Sequence, residues 1–160
     1  MSRAFVKEGD GEAVLPERAV SLHPNFVTAN GLAQIEERVR ALEAARRAAR
    51  KAARDGAAAQ DAAALSTIER DLRYWTQRKA SARLVTPAPD PEVVRFGVAV
   101  TLHDAAGATR VLRIVGEDEA DPARGLVSWA SPAAEALLGA RVGDEVRVAG
   151  QRYEIGPLAP

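Results

Sequence analysis

Leu32-Ala33-Gln34-Ile35-Glu36-Glu37-Arg38-Val39-Arg40-Ala41-Leu42 decides how the first half of the chain is read. Leu32, Ile35, Val39 and Leu42 recur at the three- and four-residue spacing of a heptad seam. Leu65, Ile68, Leu72 and Trp75 repeat that spacing further on. Between the two runs, Asp55-Gly56 is the clearest turn signal. No proline interrupts residues 28–85. The pattern predicts two antiparallel helices over 28–54 and 58–84, each about 35–40 Å long. Thr28 or Asn30 caps the first, because a short side-chain oxygen satisfies a free N–H there. Ser66-Thr67-Ile68-Glu69 also reads as a capping box. That alternative starts the second helix later, behind a longer tip loop.

The large apolar residues lie where the hairpin begins and ends. Its far end is nearly all Ala, Arg and Lys. Alanine favours helix but buries little area. The hairpin is therefore expected to be firm at its base and slim at its tip. Arg46, Arg47, Arg50, Lys51 and Arg54 cluster there, and their i,i+4 spacing stacks them in strips along the helix. They read either as a solvated face or as a strip for nucleic acid or an acidic surface, with salt-dependent contacts.

Outward from the hairpin, the composition changes. Residues 1–25 carry Pro16 and Pro24 and no sustained period, and read as an extended or disordered lead-in. The hairpin unit spans 26–85. Pro87, Pro89 and Pro91 make 86–91 a stiff linker. Residues 92–160 alternate like strands. Val94–His103 and Thr109–Gly116 flank the loop Asp104-Ala105-Ala106-Gly107. Leu126–Ala130, Glu145–Ala149 and Gln151–Ile155 read as further strands. Ser131-Pro132 opens a short helix that Gly139 closes. The expected core is Val98, Ile114, Trp129, Leu137, Leu138, Val146 and Ile155. The fold class is α+β: an N-terminal antiparallel helical hairpin, then a small, mostly antiparallel β domain with one short helix.

The 160 residues hold 22 Lys+Arg and 22 Asp+Glu. The zero net charge hides a split: residues 28–85 sum to +5 and residues 92–160 to −3. The 47% hydrophobic content is inflated by 34 alanines, and aromatics are only 4%, which argues against a deep aromatic-lined pocket. With no cysteine there is no disulfide framework and no thiolate metal site. His23 and His103 are too far apart in sequence for metal-ligand spacing, no glycine-rich phosphate loop is present, and no cofactor is expected. No long apolar run or signal peptide is seen, so a cytoplasmic protein off the membrane is expected.

Arg113-Ile114-Val115-Gly116-Glu117-Asp118-Glu119-Ala120-Asp121 resembles the Ile-Val-Gly…Glu-Ala-Asp segment of the Gre (GreA/GreB) transcription elongation factors. Ser131-Pro132, Ala136-Leu137-Leu138-Gly139 and Gly143-Asp144 follow at that family's spacing. Val27-Thr28-Ala29-Asn30-Gly31…Ile35 and Arg73-Tyr74…Leu84-Val85 resemble the ends of its two helices. The resemblance implies a coiled-coil hairpin followed by an FKBP-like β domain. It implies a monomer that docks on RNA polymerase at the secondary channel, with the hairpin inside. It places Glu119, Asp121, Ser131 and Pro132 on the docking surface, and the basic strip beside channel walls or the RNA 3′ segment. Such a factor is not itself an enzyme; at most it assists cleavage by the polymerase. Phe96, Trp129 and Tyr153 are the domain's only aromatics, which argues against prolyl isomerase activity.

The tip departs from the family. Gre factors carry closely spaced acids there, in a segment reading roughly Gly-Asp-x-Ser-Glu-Asn, that help hold a catalytic magnesium ion. Here the segment around 50–61 has only Asp55 and Asp61. Asp55 reads equally as a turn residue, and Asp61 as a charge favoured at a helix N-terminus. The expectation is a Gre-like factor with weak or no cleavage stimulation. An active cleavage factor using Asp55 and Asp61 is one alternative, and a hairpin module for another protein is the second. Glu117, Asp118, Glu119 and Asp121 read as a solvated loop, a cation-attracting loop or part of the docking surface.

Overall fold

The structure, a computed structural model, describes residues 15–55 and 59–160, with the side chains of 59–61 outside that description. β1 (Phe26–Val27) leads into α1 (Ala29–Arg54), and α2 (Ala59–Ser81) returns beside it to β2 (Arg83–Leu84). Thr28 starts α1: its backbone is extended and its Oγ1 accepts from the Gly31 N–H at 2.9 Å. Asp55 caps the far end, its N–H donating to the carbonyls of Lys51 and Ala52. The expected turn residue Gly56 lies outside the described residues. Ile35 and Val39 of the first seam and Leu72 of the second are buried between the helices.

Two expected boundaries move. Ser66 and Thr67 sit inside α2, where Thr67 Oγ1 donates to the Ala63 carbonyl at 3.0 Å, so the later helix start is excluded. α2 ends at Ser81 rather than 84, because the next residues are taken by a sheet. Phe26 and Val27 pair in parallel with Arg83 and Leu84. The Asn25 and Val27 carbonyls accept from the Arg83 and Val85 N–H groups at 2.8 and 3.0 Å. This short sheet ties the two ends of the hairpin together.

The second half is a five-stranded sheet in the order β5-β4-β3-β7-β6. Its strands are β3 (Ala99–His103), β4 (Thr109–Val115), β5 (Leu126–Ser128), β6 (Glu145–Val148) and β7 (Gln151–Ala159), and α3 (Pro132–Leu137) packs beside it. β5 runs parallel to β4; the other pairings are antiparallel. Asp104 Oδ1 closes the β3–β4 hairpin by accepting from the N–H groups of Ala106 and Ala108. β3 starts at Ala99 rather than Val94, because Gly97 bends the chain at φ +85° against Pro87. β5 stops at Ser128, and β7 runs past Ile155 to Ala159.

Val98, Ile114, Leu137 and Ile155 are buried as expected, with Trp129 and Val146 packed against the core and partly buried. Leu138 is a correction: it is 40% exposed. It caps α3 with ψ 128°, so its backbone has left the helix that buries Leu137. The α+β class holds. Among the described residues, no helix is long and apolar enough to cross a membrane.

These neighbours give a paired test. Leu137→Ala should lower stability by about 2–5 kcal/mol, the usual cost of emptying a filled core site. Leu138→Ala should change it by only about 0.5 kcal/mol. Urea unfolding of both variants measures the difference.

Candidate functional site

The five basic residues expected near the tip occupy the last turns of α1. Arg50 reaches across to Glu69 on α2 at 2.7 Å, and among the described residues it alone of the five makes an ion pair. Arg46 and Arg50 line a groove between the helices with Glu43, Glu69 and Arg73. Lys51 and Arg54 lie in the last turn, where a cation meets the negative end of the helix dipole. Asp55 sits at the C-cap of α1 and Asp61 on the first turn of α2. The loop joining them and the Asp61 side chain lie outside the described residues.

At the other end, the hairpin meets the β domain on a turn that follows β4. This turn is Gly116-Glu117-Asp118-Glu119. Asp118 accepts from the Tyr74 hydroxyl at 2.7 Å and from Arg78 Nε, both on α2. Arg78 is 2% exposed. Its own carbonyl accepts from Asn25 Nδ2 at 2.7 Å. Glu119, 8% exposed, accepts from Thr28 Oγ1 at 2.6 Å and Asn30 Nδ2 at 2.8 Å at the start of α1. Glu117 accepts from Ser21 Oγ at 2.9 Å and lies 3.1 Å from His23 Nδ1. An apolar contact completes the joint: the Phe26 ring packs against Trp129 and Phe96, with centroids 5.0 and 6.0 Å away.

Glu17 and Arg18 of the lead-in lie against α2. Glu17 accepts from Arg73 Nε at 3.0 Å. Arg18 stacks over the Tyr74 ring, 3.9 Å from its centroid. The Arg73 hydrogen bond holds the Glu17 carboxyl below its ordinary range and raises Arg73 in turn. Both groups are exposed, so this pair adds little stability.

The expected docking residues separate. Asp121 is half-buried, and its backbone pairs with Leu126 in both directions, at 2.8 and 3.0 Å. Ser131 caps α3, its Oγ accepting from the Ala134 N–H at 3.2 Å, and Pro132 is exposed at the first helical position. Glu119 is a correction. It turns inward and both its carboxylate oxygens accept hydrogen bonds from α1, so it is not presented to a partner. The same holds for reading Glu117 and Asp118 as a solvated loop. Sequence reasoning missed Arg78, Tyr74 and Asn25. Nothing in the local spacing of Arg78 marks it, because its partner is 40 residues away.

The architecture is that of a two-part α+β protein in which a helical arm is seated on a small sheet domain. Residues 88–155 match the family model described as transcription elongation factor, GreA/GreB, C-term. The chain is 47% identical over 83 residues to the transcription elongation factor GreB of Xanthomonas axonopodis pv. citri, covering 51% of this chain and 49% of that one. It is 38% identical over 82 residues to the transcription elongation factor GreA of Desulfovibrio desulfuricans, covering 50% and 51%. The similarity to the GreA/GreB factors thus lies in the C-terminal domain, and the family model matches residues 88–155 of the 160. The chain spans about half the length of the curated relatives it matches. Among solved structures it is similar to a GreA/GreB elongation factor from Nitrosomonas europaea at 18% identity, over 86% of this chain and 99% of that one. The TM-score of 0.40 is too low to transfer geometry.

Tyr74 gives the joint a measurable pH signature. Burial, followed by the hydrogen bond to Asp118, pushes its phenol from 10.0 up to about 12. The folded state therefore favours the neutral phenol. That contribution is intact below the unfolded value of 10.0 and is lost as pH rises through about 12. Denaturant titrations should show stability falling across this window, and Tyr74→Phe should flatten the fall. Phenolate absorbance should show Tyr74 ionising at lower pH in Asp118→Asn.

Proposed function

We propose that this chain is a Gre-like factor that works in the cytoplasm. It binds bacterial RNA polymerase at the secondary channel and regulates transcription elongation, with weak or no stimulation of transcript cleavage. The observation that carries the reading is the GreA/GreB match over residues 88–155, on a domain that holds a helical arm at its side. In this reading the β domain docks through Asp121 and the exposed Pro132, with Ser131 fixing the α3 start from which Pro132 projects. The hairpin enters the channel.

The reduced cleavage follows from ligand chemistry. Holding a divalent cation at a phosphodiester needs hard oxygen ligands close together. The tip offers only Asp55 and Asp61, beside a run of Arg and Lys that repels a cation. The same basic run favours phosphate oxygens or acidic channel walls.

Core polymerase pull-downs and cleavage assays on stalled complexes test both parts. Asp121→Ala with Pro132→Ala should weaken association about tenfold or more, ~1.4 kcal/mol, with the fold intact. Arg46→Ala, Arg47→Ala and Arg50→Ala together should weaken it most at low salt. Cleavage should stay near the level of the polymerase alone, and unchanged in Asp55→Ala and Asp61→Ala. Cleavage that depends on both aspartates would move the reading to an active cleavage factor. Absence of any association would move it to a hairpin module for another protein.

A further inference from the structure

We infer that the turn Glu117-Asp118-Glu119 is an orienting clamp, which fixes the angle of the helical arm on the β domain. The inference deepens the polymerase reading, since the direction of the arm decides what its tip reaches; its test needs no polymerase.

The turn grips both helices at once. Asp118 holds α2 through Arg78 and Tyr74, and Glu119 holds α1 through Thr28 and Asn30. One helix gripped alone leaves a pivot; two helices gripped by adjacent residues leave none. The groups are also withdrawn from water, with Arg78 2% and Glu119 8% exposed. A buried charge released from its partner is costly, so the arm cannot swing away without leaving an unpaired guanidinium or carboxylate behind.

Close backbone approach supports the same conclusion independently. A Cβ at Gly116 would stand 2.6 Å from the Phe26 carbonyl oxygen, and one at Gly31 would stand 2.6 Å from Glu119 Oε2. The base of the arm thus touches the turn with no room for a methyl group. On the other side, Phe26 is wedged against Trp129 and Phe96. The leverage is large. α1 has 26 residues, so it is about 39 Å long, and a tilt of about 10° at the joint moves the tip by about 7 Å.

The chain has no cysteine, so two spin labels can be placed without background. Ala48→Cys on the arm and Val142→Cys on the β domain are both exposed positions. Their separation in the free protein, read by pulsed electron spin resonance, should be a single narrow distribution. Arg78→Met should broaden or shift it by up to about 5 Å, the swing of a ~10° tilt at Ala48, about 29 Å from the base of the arm, with helix content by circular dichroism unchanged. Gly116→Ala should shift it too, because the Phe26 backbone must move. If Arg78→Met loses its helices, Glu119→Gln decides by the same distance. An unchanged distribution in the folded variants, or a parent distribution already as broad as theirs, would overturn the clamp. Loss of polymerase binding by the parent would overturn only the polymerase reading.

Discussion

Arg78 and Asp118 form the contact on which the arrangement of the two halves depends. Taking a guanidinium out of water costs several kcal/mol, and the fold accepts that cost only where a carboxylate and further hydrogen bonds receive it. Here the charge is received by Asp118, with a longer approach of 3.8 Å to Glu117. A buried pair of this kind adds little net stability compared with apolar packing, yet losing either partner costs about 3–5 kcal/mol. Its value is discrimination: alternative placements of the arm leave one of the charges bare. The aromatic wedge of Phe26, Trp129 and Phe96 supplies the apolar attraction that the ion pair does not.

Much of the fold was legible because it is written in local periods. The seam residues Ile35, Val39 and Leu72 announce their burial by spacing alone, and Ser131-Pro132 announces the start of α3. Leu137 and Leu138 show the limit. They are neighbours of the same type, and only the helix end between them sends one inward and the other out. The β1–β2 pairing was not legible either, since two-residue strands carry no period, and it cut α2 short at Ser81. At the candidate site, Asp55, the basic strip, Ser131 and Pro132 lie on the elements the sequence predicted. The clamp does not follow from the sequence. A Glu-Asp-Glu run resembles any solvated loop until its donors, 40 to 96 residues away in the chain, are brought beside it.

One glycine makes that turn more than a matter of hydrogen bonds. Hydrogen-bonded side chains on a surface adjust easily, because their long stems rotate. Backbone does not. At Gly116 the nearest atom is a main-chain oxygen of β1, which can yield only if the hairpin base itself moves. The glycine between β4 and the acidic run is therefore part of the joint, and the residues after it are aimed by the strand register before them. Ile114 and Val115 pair with Val127 and Ser128 of β5. The sheet thus sets where the turn starts, and the turn sets where the arm points.

The charge balance takes its meaning from this joint. Residues 28–85 carry a surplus of +5 and residues 92–160 a deficit of −3, and the two cancel in the total with the smaller contributions of the lead-in and linker. Such a cancellation first reads as neutrality, as though no charged partner were served. At the base of the arm one hairpin base, Arg78, faces Asp118 and Glu117, while Glu119 accepts from the neutral Thr28 and Asn30. Those three carboxylates are engaged inside the molecule and are not offered outward. Among the described residues at the tip, no comparable acidic cluster faces the Arg and Lys run, and Glu69 answers only Arg50. The zero therefore divides into an inner part, consumed in fixing the arm, and an outer part, left at its end as a cationic surface. With the proposed clamp holding the arm at its acidic seat, the positive charge at its tip is carried to one place.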